Sequence, residues 1–132
     1  MVFLDASPII YLVEQPPVWG PRATARLSAI RAAGELLVVT EIVRMECLVG
    51  PLKDGDMELL ADFDTFFSGS GVSFVPITSD VALRAAMIRA TYRFKPLDSL
   101  HLAAAVEHRC HRFQTNDTRL SRFPDIPIEI LS

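Results

Sequence analysis

Four acidic side chains are the residues of this sequence most suited to chemistry: Asp5, Glu46, Asp98 and Asp117. The first and the last each follow a short apolar run, and the other two lie inside apolar helical patterns. If the four converge, they repel one another, and their carboxyl pKa values rise unless a divalent cation neutralises the charge. A convergent cluster of this kind is therefore predicted to be a metal site.

Oxygen ligands select hard ions, so we expect Mg²⁺ or Mn²⁺ rather than zinc, with one or two ions per site. No pair of cysteines or histidines has the spacing of a zinc site. Hard divalent ions bind phosphates and support in-line hydrolysis of a phosphodiester, in which an ion generates hydroxide and stabilises the leaving oxygen. The expected products are a 5′-phosphate and a 3′-hydroxyl.

Glu46 is the most informative of the four acids. At about 100° per residue it falls within the apolar stripe of a predicted helix, among Ile42, Val43 and Val49. Burying an unpaired charge costs several kcal/mol, so such a carboxyl is protonated, paired with a base or bound to a cation. The alternative is a salt bridge to an arginine that faces the core.

The same cost of burying a charge applies to Asp98, which lies on the most apolar predicted helix and shares an apolar stripe with Leu102 and Ala105. This helix is predicted to be almost fully buried. A purely structural role remains open for Asp98, because the first turn of a helix favours acids through its dipole.

Asp5 and Asp117 follow predicted strands and have an alternative explanation of their own. Aspartate favours turns and helix N-caps, and Asp117 could simply start a short helix at Thr118. In open parallel sheets, however, ligands bind beyond the carboxyl ends of the strands, where the strand order reverses. Both acids are expected there.

Short apolar runs separated by helical patterns position these acids. Strands alternating with helices predict an α/β fold with three α/β/α layers and a parallel sheet covered on both faces. The first helix is predicted to begin with Ser7 as N-cap and Pro8 as first helical residue, and the third to end at Gly50-Pro51. The predicted strands are Val2–Leu4, Leu36–Thr40, Val72–Ile77, Arg112–Thr115 and Ile128–Ile130. The predicted helices are Ser7–Glu14, Pro21–Ala33, Glu41–Val49, Asp54–Phe67, Ser79–Tyr92, Leu97–Arg109 and a short one after Asp117.

The composition is typical of one globular domain, which we expect to span residues 1–132. Half of the 132 residues are hydrophobic and the net charge is −3, which argues against a disordered tail and against a broadly basic coat for nucleic acid. Cys47 and Cys110 lie inside apolar helical patterns and are expected to be free, buried thiols. No apolar run approaches the roughly 20 residues of a membrane span, so a soluble, cytoplasmic protein is expected.

Four segments together resemble a known family. The sequence resembles PIN-domain nucleases and, within them, the VapC-like toxins of bacterial and archaeal toxin-antitoxin pairs. Each segment is weak alone, but their order and spacing extend over nearly the whole chain. The segments are Val2–Ser7, Thr40–Glu46, Leu97–Ala105 and Gln114–Asp117.

The resemblance implies a PIN fold with five parallel strands and a Mg²⁺- or Mn²⁺-dependent endoribonuclease that inhibits translation and growth as a toxin. It implies that Asp5, Asp98 and Glu46 are the principal ligands, with the fourth acid, Asp117, more variable. It also suggests that the hydroxyls of Ser7 and Thr115 orient carboxylates or ligand waters, although the hydroxyl of Ser7 also suits an ordinary N-cap. Asn116, beside Asp117, could share or take over its role as a ligand. His101 is interpreted as a satisfied core residue rather than as a base.

Substrate and partner surfaces are less marked in the sequence. A few cations precede Asp98 or follow Asp117 and could contact the phosphates of RNA, although a solvated face explains each of them equally well. An apolar loop containing Val18 and Trp19 is a candidate groove for a partner helix. The resemblance implies that the partner is a small antitoxin and that the protein is a homodimer. The candidate phosphate-binding cations are Lys95 and Arg119, with Arg93 and Arg122 beside them.

Three other classes of protein are alternatives to a nuclease. A response-regulator receiver needs paired acids after the first strand, where this chain has Ala6 after Asp5. A haloacid-dehalogenase-like phosphatase needs Asp-x-Asp there, and position 7 is Ser7. A non-catalytic PIN-like module that binds RNA or protein remains the serious alternative, and only the presence of all four acids argues against it.

Overall fold

Five short strands and six α-helices alternate along the chain, and a 3-10 helix at Thr118–Arg122 lies between the last two strands. The computed structural model describes residues 1–132. The strands are β1 (Val2–Leu4), β2 (Leu37–Val39), β3 (Val72–Phe74), β4 (Arg112–Thr115) and β5 (Ile128–Ile130). The helices are α1 (Ala6–Glu14), α2 (Trp19–Ala32), α3 (Glu41–Asp54), α4 (Met57–Phe67), α5 (Ser79–Tyr92) and α6 (Pro96–Glu107).

The sheet is parallel throughout, in the order β3-β2-β1-β4-β5. The chain builds outward from β1 through β2 to β3, and then returns to the other side of β1 for β4 and β5. The strand order therefore reverses between β1 and β4, where Leu4 pairs with Gln114. The predicted α/β fold with a five-stranded parallel sheet is confirmed, and this reversal creates the crevice in which such folds bind ligands.

The central strands form the middle of the core. All residues of β1 and β2 are buried, and the Phe3 ring stacks on the Phe113 ring with centroids 5.2 Å apart. The edge strands β3 and β5 are only half-buried, so the prediction of uniform burial is wrong for them. An edge strand has a neighbour on one side only, and β3 ends at Phe74 rather than continuing to Ile77.

The starts of α1 and α2 differ from the predictions. The N-cap of α1 is Asp5 rather than Ser7, because the Ala6 N–H donates to Asp5 Oδ1 at 2.9 Å. Helix α2 begins at Trp19, so this residue is not in a loop: its half-buried ring stacks on Tyr11, with centroids 5.8 Å apart. Only Val18, which is 56% exposed, remains of the apolar groove predicted for this segment.

Helix α3 continues beyond its predicted end. It passes through Gly50 and Pro51 and stops at Gly55, whose φ of +66° is the left-handed conformation that glycine adopts at helix ends. A proline inside a helix loses one backbone hydrogen bond, but the Pro51 ring is buried against the core here. Helix α4 consequently starts late, with Asp56 as its N-cap.

Both cysteines are buried and free, as predicted. Burial raises the pKa of the Cys47 thiol, and it raises the pKa of the Cys110 thiol to about 11. Thiolates are the reactive form of cysteine, so both thiols are inert at neutral pH. None of the helices has the length and apolar character needed to cross a membrane.

Candidate active site

The end of β1 places Asp5 at the floor of the crevice. The residue is 9% exposed, and its two carboxylate oxygens have different partners. Oδ1 accepts the hydrogen bond from Ala6 that caps α1, whereas Oδ2 accepts a hydrogen bond of 2.7 Å from Thr115 Oγ1 at the end of β4. The side chain of Asp5 is therefore held by both the helix that follows it and the neighbouring strand.

The Thr115 hydroxyl also fixes the turn after β4. Its oxygen accepts a hydrogen bond of 3.1 Å from the Asp117 N–H, while its hydrogen goes to Asp5. Thr115 is completely buried, so both hydrogen bonds are shielded from water. This is the contact that a residue orienting a carboxylate must make.

Ser7 and Asn116 link α1 to the same turn without touching the acids. The Asn116 N–H donates to Ser7 Oγ at 3.2 Å, and the Asn116 side-chain amide donates to the Tyr11 hydroxyl at 3.4 Å. Neither side chain is hydrogen-bonded to a carboxylate. Their contacts hold the turn after β4 against α1.

Glu46 extends from α3 into the crevice, and its carboxyl contacts the imidazole of His101 there. His101 Nε2 lies 2.5 Å from Glu46 Oε1, and the side-chain exposures are 1% for His101 and 29% for Glu46. Glu46 is therefore less buried than predicted, and its partner is a histidine rather than an arginine. Asp5, Glu46 and His101 each offer a ligand atom within 4.8 Å of the others.

Asp98 lies in the first turn of α6, one helical turn before His101, so the two side chains share a face of this helix. Burial raises the pKa of the Asp98 carboxyl, and the negative charges of Asp5 and then Asp117 raise it further. Three acids therefore lie within electrostatic reach of one another. A cation placed among them would relieve this repulsion.

Asp117, at the end of β4, already has a counter-ion. Its Oδ1 accepts hydrogen bonds from both the N–H and Nε of Arg119, and Arg119 Nη2 lies 2.5 Å from Oδ2. These hydrogen bonds lower the pKa of the Asp117 carboxyl. The same residue caps the 3-10 helix, so the predicted turn role of Asp117 is real and coexists with its position at the crevice.

A small cavity of about 120 Å³ adjoins Asp98 on the side of the 3-10 helix. Its walls are predominantly basic, and Arg122 is held there by its stacking over the Phe94 ring, 4.3 Å from the centroid. The four cations proposed from the sequence thus meet beside the acids. The cavity is lined by Arg93, Phe94, Lys95, Asp98, Arg119, Leu120 and Arg122.

The architecture and the sequence lead to one family. The model of the PIN domain matches residues 2–126. The chain belongs to the PIN-domain family. No curated protein matches this PIN domain closely enough to count as a relative.

Solved structures share the fold at low sequence identity. One chain of the VapBC2 structure from Rickettsia felis, bound to a DNA fragment from the VapBC2 promoter, matches with TM-score 0.82 and 16% identity. The match covers 100% of both chains. DNA-bound VapBC from Salmonella typhimurium gives TM-score 0.79 and 21% identity, over 99% and 98% of the two chains. VapC20 of Mycobacterium tuberculosis, a Sarcin-Ricin loop cleaving toxin, matches with TM-score 0.71 and 14% identity. The match covers 96% of this chain and 99% of the VapC20 chain.

His101 is the residue whose contact was missed from the sequence. Its burial agrees with the interpretation as a core residue, but its partner is Glu46, 55 positions away. The spacing of three from Asp98 was the one available sign, because residues i and i+3 of a helix lie on the same side. Nothing in the sequence pairs α3 with α6.

Proposed function

We propose that this PIN domain is a Mg²⁺- or Mn²⁺-dependent endoribonuclease that acts in the cytoplasm as the toxin of a toxin-antitoxin pair. The observation that carries the proposal is the convergence of acids from β1, α3 and α6 at the point where the strand order reverses. Asp5 and Glu46 lie within 4.8 Å of each other through their ligand atoms, and Asp98 feels the charge of Asp5. Acids that repel each other in a crevice are the arrangement a divalent cation stabilises.

The donor set fits a hard divalent ion. Asp5, Glu46 and Asp98 would hold the ion, and Asp117 would join them only by exchanging its contact with Arg119. When bound, the ion would activate the attacking water and neutralise the developing charge on the leaving oxygen. The protein itself supplies fixed geometry, since Thr115 holds Asp5 and the N-terminus of α1 holds the other oxygen of the same carboxylate.

The basic cavity beside Asp98 supports a polyanionic substrate. The net charge of the chain is −3, so attraction to RNA has to be local. Lys95 and Arg119 line the cavity together with Asp98, and the charge of each lowers the pKa of Asp117. We propose that these two cations, with Arg93 and Arg122 behind them, contact phosphates next to the bond that is cut.

The comparisons support the choice of RNA and of a protein partner. VapC20, which shares this fold, is a toxin that cleaves the Sarcin-Ricin loop, and the Rickettsia felis and Salmonella typhimurium structures are VapBC complexes. We therefore propose RNA as the substrate and a small antitoxin as the cognate partner, and we expect the toxin to be a homodimer.

Cleavage of end-labelled single-stranded and structured RNA by purified protein, with Mn²⁺, Mg²⁺ or EDTA, tests the proposal. The variants Asp5→Asn and Asp98→Asn are compared with Asp64→Asn, which changes an exposed acid of α4 outside the site. The Asp5→Asn variant keeps an acceptor at the N-cap of α1, so its helix still has a cap. We expect ion-dependent cutting by the wild type and by Asp64→Asn, with 5′-phosphate and 3′-hydroxyl products, and none by the two site variants.

Absence of cutting under every condition, together with an unchanged Tm on addition of Mn²⁺ or Mg²⁺, would overturn the proposal. The protein would then be a non-catalytic PIN-like module that binds RNA or protein. Cutting that persists in EDTA would instead exclude the role of the ion.

A further inference from the structure

The contact between His101 and Glu46 joins two helices that otherwise meet only weakly. Glu46 projects from α3 and His101 from α6, and their atoms approach to 2.5 Å. Glu46 has no other hydrogen-bond partner in the protein, and its ligand atom lies within 4.8 Å of that of Asp5. The position of its carboxylate therefore depends on the histidine.

The surroundings of the imidazole decide which nitrogen carries the hydrogen. The Nδ1 atom is completely buried and has no hydrogen-bond partner. A buried N–H without an acceptor is costly, whereas an unprotonated ring nitrogen without a donor costs less. The hydrogen therefore belongs on Nε2, which donates it to Glu46 Oε1.

The ring is also held rigidly. His101 is 1% exposed, and its ring packs on Phe3 of β1 at a centroid distance of 6.1 Å. Glu46 by contrast has three side-chain torsions and is partly exposed, so it would sample several rotamers without a fixed donor. A donor fixed by the core thus orders a flexible acid at the edge of the crevice.

We propose that His101 is a positioning residue, which holds the Glu46 carboxylate beside Asp5 so that the pair is organised for a divalent ion. His101 is not itself a ligand, because its Nδ1 atom is buried and its Nε2 atom donates a hydrogen bond to Glu46. This inference rests on the proposed function, since it assumes that the acids bind an ion. Partners that orient a metal ligand typically contribute 10–100-fold to metal affinity.

Titration of the metal-free protein with Mn²⁺ by calorimetry tests the role with two substitutions at one position. His101→Phe keeps a planar ring and lacks the donor, whereas His101→Gln restores an N–H donor on a side chain that binds metals poorly. We expect about 10–100-fold weaker binding for His101→Phe and near wild-type binding for His101→Gln. His108→Gln changes the C-cap residue of the same helix, which is hydrogen-bonded to the Pro76 carbonyl; this variant is the control and should bind as the wild type does.

If His101 had a purely structural role, its substitution would lower Tm, but Mn²⁺ affinity would not be lost in His101→Phe and retained in His101→Gln. Saturating Mn²⁺ should restore RNA cleavage by His101→Phe, because the defect lies in ion affinity rather than in the chemistry. Equal affinity of His101→Phe and the wild type would overturn the inference, and so would equal losses in the Phe and Gln variants, which would make His101 a ligand or a mere core residue. If the wild type binds no ion at all, the proposed function itself fails.

A measurement on the wild type avoids any loss of folding in the variants. The ¹⁵N chemical shifts of the histidine ring report which nitrogen carries hydrogen, and we expect Nε2–H in the metal-free protein and also after addition of Mg²⁺. A hydrogen on Nδ1 would contradict the inference, as would loss of the Nε2 hydrogen when Mg²⁺ binds.

Discussion

Asp98 and Asp117 face the same crevice, yet their surroundings shift their pKa values in opposite directions. Asp98 is half-buried near other acids, and burial followed by repulsion raises the pKa of its carboxyl. Asp117 receives hydrogen bonds from Arg119, and these lower the pKa of its carboxyl. The difference teaches that membership of an acidic cluster does not define a role: Asp98 forms no salt bridge, although cations lie nearby, whereas Asp117 is paired with Arg119.

The largest expected effect separates the two acids by activity. We expect Asp98→Asn to reduce kcat/KM for RNA about 100-fold or more, because it removes a proposed ligand that no cation of the protein satisfies. Asp117→Asn should cost only about tenfold, since its charge is already neutralised by Arg119. Initial rates on one labelled RNA at fixed Mn²⁺ measure both. Equal losses would show that the contact with Arg119 does not persist in the working enzyme.

A smaller effect is expected from removing the counter-ion of Asp117. Arg119→Gln frees that carboxylate, so Mn²⁺ should bind several-fold more tightly, while RNA binding in EDTA weakens and the slope of log K against log salt falls by about one. Calorimetry and RNA titrations at several salt concentrations measure the two effects. Lys53→Gln removes an exposed cation far from the crevice and should change neither. An unchanged salt slope in Arg119→Gln would exclude a phosphate contact.

The smallest expected effect concerns how stability depends on pH, measured as Tm in EDTA. Asp98 and Asp117 should contribute to stability with opposite signs of pH dependence. The raised pKa of Asp98 means that its contribution to stability is fully present below its ordinary pKa of 3.8 and is lost as pH rises through the folded-state value. Asp98→Asn should therefore exceed the wild type in Tm at neutral pH, and this gain should vanish in acid.

Asp117 should behave in the opposite sense. Because its pKa is lowered, the ionised Asp117 carboxylate stabilises the fold above pH 3.8. This contribution disappears as the pH falls through the pKa of Asp117 in the folded state. Asp117→Asn should accordingly melt below the wild type at neutral pH and match it in acid. The same sign for both variants would mean that the two carboxylates share one environment.

Much of the fold could be predicted from local patterns. Apolar runs separated by helical periods placed β1, β4 and β5 at their observed bounds, and they predicted the parallel sheet that brings Asp5 and Asp117 to one edge. The errors occurred where tertiary contacts override local preferences. Pro51 continues a helix because its ring is buried, and Trp19 begins one with its ring stacked on Tyr11.

The candidate site shows the same division. The sequence pointed to four acids, because a carboxylate on an apolar stripe or after a buried strand is unusual for energetic reasons, and their shared role as ligands stays a prediction. The contact of His101 with Glu46, across 55 residues, was not found, and a role for Thr115, which meets Asp5 across 110 residues, was suggested only by the family resemblance. Hydrogen bonds of such long range depend on how whole helices and strands pack.

What the sequence determined by itself is the order of elements and the parallel sheet, since these follow from periodicity. It also predicted the four acids, from the cost of burying charge. Only the tertiary structure decided which acid is paired, which is repelled and which is held by a histidine. Those outcomes depend on distances of a few ångströms between side chains on different elements, and no spacing along the chain encodes them directly.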